Sequence, residues 1–164
     1  MKESGSFREL LLNLIRENPG LHFREIQRRT ASAVGKLDYN LYQLEREGLI
    51  SSRRDGKVLR FFSIDQDSAQ DRMLAFHLRN WQSRDLLIRA ADSGDAGLPI
   101  PGNSKYRKNV ERMAEDGILQ VSDRGDTLII SVTDRDSLLK FLKKYGDSFI
   151  DSIASSIYRL LDEH

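Results

Sequence analysis

An Asp55-Gly56 pair sits between two strand-like runs, Leu49 to Arg54 and Lys57 to Ile64, directly behind an amphipathic helical stretch. A tight hairpin needs positive φ in its turn, so Asp-Gly between such runs predicts a β-hairpin. The preceding stretch, about Ala33 to Glu47, places Val34, Leu37, Leu41 and Leu44 at i, i+3, i+7 and i+10. That spacing makes one apolar stripe, which predicts a helix buried along that side. The opposite side carries Gly35, Lys36, Tyr39, Asn40 and Gln43, and Gly48 suits a left-handed C-cap.

Upstream, Phe7 to Glu17 reads as a helix, with Leu10, Leu11, Leu14 and Ile15 at helical spacing and Ser6 as its N-cap. Asn18-Pro19-Gly20 ends it, because proline lacks a donor and restricts its predecessor. A short helix follows over Phe23 to Arg29, apolar at Phe23 and Ile26 and exposed at Arg24, Arg28 and Arg29. Thr30-Ala31-Ser32 then makes a tight connection, with Ser32 as N-cap of the third helix. Helix, helix, turn, helix and basic hairpin is the order of a winged helix-turn-helix. An exposed helix fits the major groove, where Asn40 and Gln43 suit adenine, Lys36 guanine or phosphate, and Tyr39 a base or the backbone. Ser32 and the helix amino end suit a phosphate. Arg53, Arg54, Lys57 and Arg60 on the hairpin suit the backbone or the minor groove.

The stretches Leu21 to Thr30 and Val34 to Ile50 resemble winged helix transcriptional regulators of the broad ArsR/MarR-like type, and are most similar to archaeal two-domain versions. The resemblance covers residues 7–64 and implies sequence-specific, usually dimeric, DNA binding. It departs at Asn40, a position that is often histidine in such helices.

A repeat appears at an offset of 69 residues: Leu44 to Ile50 aligns with Met113 to Leu119, and Gly56 with Gly125. Arg84 to Asp92 mirrors the first helix, with Leu86, Leu87 and Ile88 apolar. The copy is shorter between its first helix and its third, and Leu98-Pro99-Ile100-Pro101-Gly102 leaves no room for a normal second helix. Arg53, Arg54 and Arg60 correspond to Ser122, Asp123 and Ile129, so basic groups are lost and an acid gained. This second copy is expected to serve packing, ligand sensing or protein contact. Lys105, Arg107, Lys108 and Arg112 on its third helix leave a second DNA surface open.

The expected class is therefore mainly α with small β-hairpin wings (α+β): tandem winged helix domains, the second degenerate, plus C-terminal helices. The expected divisions are 1–66, a connecting helix over 67–83, the second domain over 84–133, and C-terminal helices over 134–164. Met73, Phe76, His77 and Trp81 form the apolar side of the connector. In the last segment, Leu138, Leu139, Leu142 and Tyr145 form a stripe, and Gly146 is expected to break or bend the helix. Ile150, Ile153, Ile157 and Leu160, widened by Phe149 and Leu161, repeat like a coiled-coil seam suited to packing on its own domain or on a second subunit.

Charge agrees with a nucleic-acid partner for the first part. The chain of 164 residues nets only +1, but residues 1–64 hold 12 Lys+Arg against 8 Asp+Glu. There is no cysteine, which excludes disulfides and thiolate sites. His22, His77 and His164 stand in no metal-ligand pattern; His22 suits a cap and His77 a core or interface position. No P-loop or nucleophile elbow is present, so an enzyme, a cofactor and a metal are not expected. No run approaches a membrane span and no secretory leader is visible, so a cytoplasmic location is expected. The expected partners are double-stranded DNA and a second copy, with any small-molecule effector unidentified. The alternative is a winged helix interaction module of a transcription, replication or chromatin complex; single-stranded or RNA binding is a third reading.

Overall fold

The computed structural model describes residues 2–162, with side chains for residues 7–150. The chain divides into two compact units, Met1–Phe76 and His77–His164.

In the first unit, helices α1 (Lys2–Glu17), α2 (Phe23–Thr30) and α3 (Val34–Arg46) pack on a three-stranded antiparallel sheet. Its strands are β1 (Leu21–His22), β2 (Ile50–Asp55) and β3 (Val58–Ser63), in the order β1-β3-β2. One core joins Leu11 and Ile15 of α1, Ile26 of α2, Leu37, Leu41 and Leu44 of α3, and Ile50 and Phe61 of the hairpin. α3 ends in a paired motif: Gly48 N–H donates to Glu45 O and Leu49 N–H to Leu44 O, both at 3.0 Å. Gly48 has φ +75°, a conformation glycine adopts without a Cβ penalty. Asp55 pairs with Val58, so the hairpin loop is Gly56-Lys57 and the aspartate belongs to the strand. Gly56 takes positive φ while Lys57 does not, the pattern of a type II′ turn.

The second unit holds α5 (Trp81–Ser93), a single 3-10 turn (Gly94–Ala96), β4 (Leu98–Pro101), α6 (Arg107–Glu115), β5 (Leu119–Asp123), β6 (Thr127–Val132) and α7 (Arg135–Asp162). α4 (Ala69–Leu78) runs across the division between the units. The second sheet has the order β4-β6-β5. Its α6 repeats the helix ending seen before: Gly117 N–H donates to Ala114 O and Ile118 N–H to Met113 O, both at 3.0 Å. Pro99 and Pro101 lie in an edge strand, where a missing donor costs no ladder bond on the outer side. Between β4 and α6 no helix is present among the described residues, as the paired prolines predict.

Several expectations are corrected. α1 runs through Ser6, so that residue does not cap it. α3 is preceded by Ala33, which makes no side-chain cap bond; the expected cap, Ser32, shares a 2.8 Å hydrogen bond with Thr30 Oγ1. Val34 is 57% exposed and so leaves the stripe that Leu37, Leu41 and Leu44 keep. The expected connecting helix is two helices. Asn80 stops α4 and caps α5, its Oδ1 accepting from the N–H groups of Gln82 and Ser83 at 3.0 and 3.1 Å. Trp81 thus opens α5, and Ile88 is exposed. Lys105 lies ahead of α6 rather than on it.

α7 is continuous through Gly146. Its buried stripe is Leu138, Phe141, Tyr145 and Phe149, and Leu139 is exposed instead. Phe149 packs edge-on to Phe141 at 5.8 Å between centroids, and the Arg79 guanidinium lies 3.8 Å from its ring, so it serves the core of its own unit. Ile150 is exposed. The side chains of Ile153, Ile157, Leu160 and Leu161 lie outside the described residues. No helix of the described residues is long and apolar enough to cross a membrane.

Two measurements check this packing. Leu37→Ala is expected to lower the urea-unfolding free energy by about 2–5 kcal/mol, because it empties a fully buried position. Val34→Ala is expected to change it by less than about 0.5 kcal/mol. A second check uses pH. Hydrogen bonding from Arg16, and next from Ser63, holds the Asp65 carboxyl below its ordinary value of 3.8. A carboxyl depressed in the folded state stabilises above its unfolded pKa and loses that contribution as pH falls through the folded pKa. Asp65→Asn is therefore expected to flatten the acid limb of the stability–pH curve below about pH 4.

Candidate nucleic-acid interface

Burial of Leu37, Leu41 and Leu44 fixes how α3 is rolled, and this decides which side chains it offers outward. The line farthest from the buried stripe is Gly35, Tyr39, Tyr42 and Arg46, at i, i+4, i+7 and i+11. Tyr39 is 63% exposed and Tyr42 59%. Tyr42 and Arg46 were not among the residues expected from the sequence. Their signal was available in the register of the leucines, once Val34 is dropped from the stripe.

Lys36 is exposed on one flank, its Nζ 4.2 Å from the centroid of the Phe7 ring. Asn40 is half-buried on that flank, and its Nδ2 donates to Lys36 O at 2.7 Å. One N–H of its amide is thus engaged with its own helix. Gln43 is half-buried one turn further on. Ser32 is also half-buried, engaged with Thr30 through its hydroxyl and accepting from Gln27 Nε2 at 3.4 Å through its carbonyl.

The hairpin arginines divide into two kinds. Arg60 Nε donates to Asp55 Oδ2 at 2.8 Å and its Nη1 to Gly20 O at 3.0 Å, so it ties the hairpin to the turn after α1. Arg53 lies over Phe76, its guanidinium carbon 3.9 Å from the ring centroid. Both are half-buried. Arg54 and Lys57 are exposed at the tip. With Arg24 of α2 they line an open cleft of about 580 Å³ between the start of α2 and the tip, alongside His22, Val58 and Leu59. His22 caps α2, its Nδ1 accepting from Glu25 N–H at 3.3 Å. Arg28 is exposed in the last turn of α2.

The structure thus brings Gly35, Lys36, Tyr39, Arg54, Lys57, Arg24 and Arg28 out as exposed groups of one unit. It draws Ser32, Asn40, Arg53 and Arg60 into local contacts. Among the described residues, no group of three or more His, Asp or Glu could hold a metal ion.

An exposed helix whose buried side is locked to a short sheet, with basic groups beside it, defines a helix-turn-helix unit. Residues 6–75 match a family model, HTH_HVO_0163_N, described as an N-terminal HTH domain. The chain is also 26% identical, over a 144-position alignment that covers 83% of its length, to a Methanocaldococcus jannaschii protein named "uncharacterized HTH-type transcriptional regulator MJ1398". It spans only 35% of the length of that relative.

The two kinds of arginine are separable by experiment. Arg60→Ala is expected to cost about 1–3 kcal/mol of folding stability, since it strips partners from a partly buried carboxylate and a carbonyl. Arg54→Ala is expected to stay within about 0.5 kcal/mol of the parent protein. Urea unfolding of each variant is the measurement.

Proposed function

We propose that this chain is a sequence-specific, double-stranded DNA-binding transcriptional regulator. α3 enters the major groove, and the hairpin tip lies on the backbone or in the minor groove. The carrying observation is the exposed outer side of α3, held rigidly by three buried leucines and flanked by exposed basic groups. Similarity to an N-terminal HTH domain and to a protein named as a transcriptional regulator supports the same reading. The ArsR/MarR-like, archaeal two-domain type is part of this proposal and rests on the sequence resemblance of residues 7–64.

The second unit is, on this reading, a degenerate winged helix. Its sheet order parallels the first, and Thr133 N–H donates to Ile118 O as Ile64 N–H does to Leu49 O. The hairpin and third helix repeat after 69 residues, whereas Leu21 and Leu98, which open the edge strands, are 77 apart. The eight missing residues equal the length of α2. A helix-turn-helix without its second helix, and with Ser122, Asp123 and Ile129 on the hairpin, is poorly made for DNA. Packing or protein contact is its assigned role.

A homodimer completes the proposal. The line of α7 through exposed Leu139 and Lys143, half-buried Gly146 and exposed Ile150 continues in sequence to Ile153, Ile157 and Leu160 at alternating steps of four and three. That repeat suits a second copy of the same helix. Two copies would read half-sites about 34–36 Å apart, or multiples of that. The proposed setting is the cytoplasm.

Selection of bound duplexes from a random pool tests the function, with an enriched palindrome expected. Five exposed basic residues per subunit (Arg24, Arg28, Lys36, Arg54 and Lys57) make about ten phosphate contacts in a dimer, for a log–log salt slope near −9. A flat salt response sinks the proposal. Gln43→Ala should relax base preference and cost about 1–3 kcal/mol on the selected site, whereas the Arg54→Ala, Lys57→Ala pair should weaken all sequences alike. Fluorescence anisotropy on selected and scrambled duplexes separates the two.

A further inference from the structure

Tyr39 and Tyr42 occupy the outermost line of α3, one turn apart, with most of each ring in solvent. Two large aromatic side chains placed side by side on a helix and mostly in solvent form an apolar step rather than part of a core. The residue one turn before Tyr39 is Gly35. A Cβ built there meets nothing within 4 Å, so packing inside the protein does not require a glycine. Its absent side chain matters only to something that approaches α3 from outside. Lys36 on one flank of α3, Arg46 at its end and Arg28 on α2 are exposed basic groups, three against the single exposed acid of the α3 flanks beside the tyrosines, Asp38. The charge favours a polyanion, and the aromatic step calls for an apolar feature within it.

The major groove offers one such feature, the 5-methyl group of thymine. Asn40, suited in type to read adenine, has one amide N–H on Lys36 O, which turns the group toward its own helix. We propose that Tyr39 and Tyr42 are specificity-determining residues that read thymine methyl groups through their ring faces, with Gly35 letting the α3 backbone come close enough for both to reach the base pairs. This rests on the DNA-binding reading above and adds Tyr42 and a base identity to it.

The test compares a duplex selected from the random pool with the same duplex carrying uracil in place of thymine. The two differ only in methyl groups, so phosphate contacts and Watson–Crick pairing are unchanged. The full-length protein should bind the uracil duplex about fourfold more weakly for each methyl group contacted, and about fifteenfold more weakly for two. Tyr39→Phe and Tyr42→Phe should keep that ratio, because the rings remain. The double variant Tyr39→Ala, Tyr42→Ala should bring the ratio to one while keeping a salt-dependent affinity. Gly35→Ala should weaken binding to the thymine duplex without lowering the midpoint of thermal unfolding.

Equal binding of thymine and uracil duplexes by the parent protein overturns the inference. So does a thymine preference that survives in the double alanine variant, a selected site without thymine, or an unchanged affinity in Gly35→Ala. Failure to bind either duplex is a different result: it removes the DNA-binding reading itself, and this inference with it.

Discussion

Three leucines on one side of α3 settle most of what the first unit can do. Leu37 and Leu44 are fully enclosed and Leu41 nearly so, against α1, α2 and the hairpin. Removing such side chains from water supplies about 1.5–3 kcal/mol each, enough to hold the helix in a single roll. Everything on the far side then follows by helical geometry. Gly35, Tyr39, Tyr42 and Arg46 point away because the leucines point in. The ending at Gly48 and Leu49 turns the chain straight into β2, so the hairpin tip and α3 belong to the same rigid framework.

That framework also explains why basic residues of similar appearance have different work. Arg60 and Arg53 are partners of the fold, one bonded to Asp55 and Gly20 O, the other lying over Phe76. Arg54 and Lys57 stand at the tip and are exposed there, although Arg54 pairs with Leu59 on the face that carries Phe61 and Ile50 into the core. A count of positive charge cannot separate these roles, because it takes no account of which distant partner each residue meets.

Much of the first unit was legible in the sequence because its signals are local. The leucine spacing, the stop at Asn18-Pro19-Gly20 and the glycine after Glu47 each act within a turn or two. What was not legible depends on contacts between distant residues or on competition between neighbours. Ser32 has the right side chain to cap α3, but Thr30 is close enough to take its hydroxyl. Val34 fits the stripe by spacing, yet it sits in the first turn, where no element covers it. Asn40 is a base-reading residue by type, and its engagement with Lys36 O is a matter of rotamer. The split at Asn80 was readable in principle, since an asparagine just ahead of a helical run is a cap signal. The run of apolar residues across it masked the boundary. In α7, the buried line runs through Leu138, Phe141, Tyr145 and Phe149 at steps of three, four and four, and Leu139 falls off it.

The central claim is that the outer side of α3, together with the hairpin tip, is the surface that meets DNA. Backbone amide resonances in a titration of the full-length protein with a selected duplex test it most directly. The account expects the largest shifts at Gly35, Lys36, Tyr39, Tyr42 and Gln43, with a second set at Arg54 to Lys57. Saturable binding that leaves those amides unmoved, with its shifts in α6 and the β5–β6 hairpin instead, would contradict it.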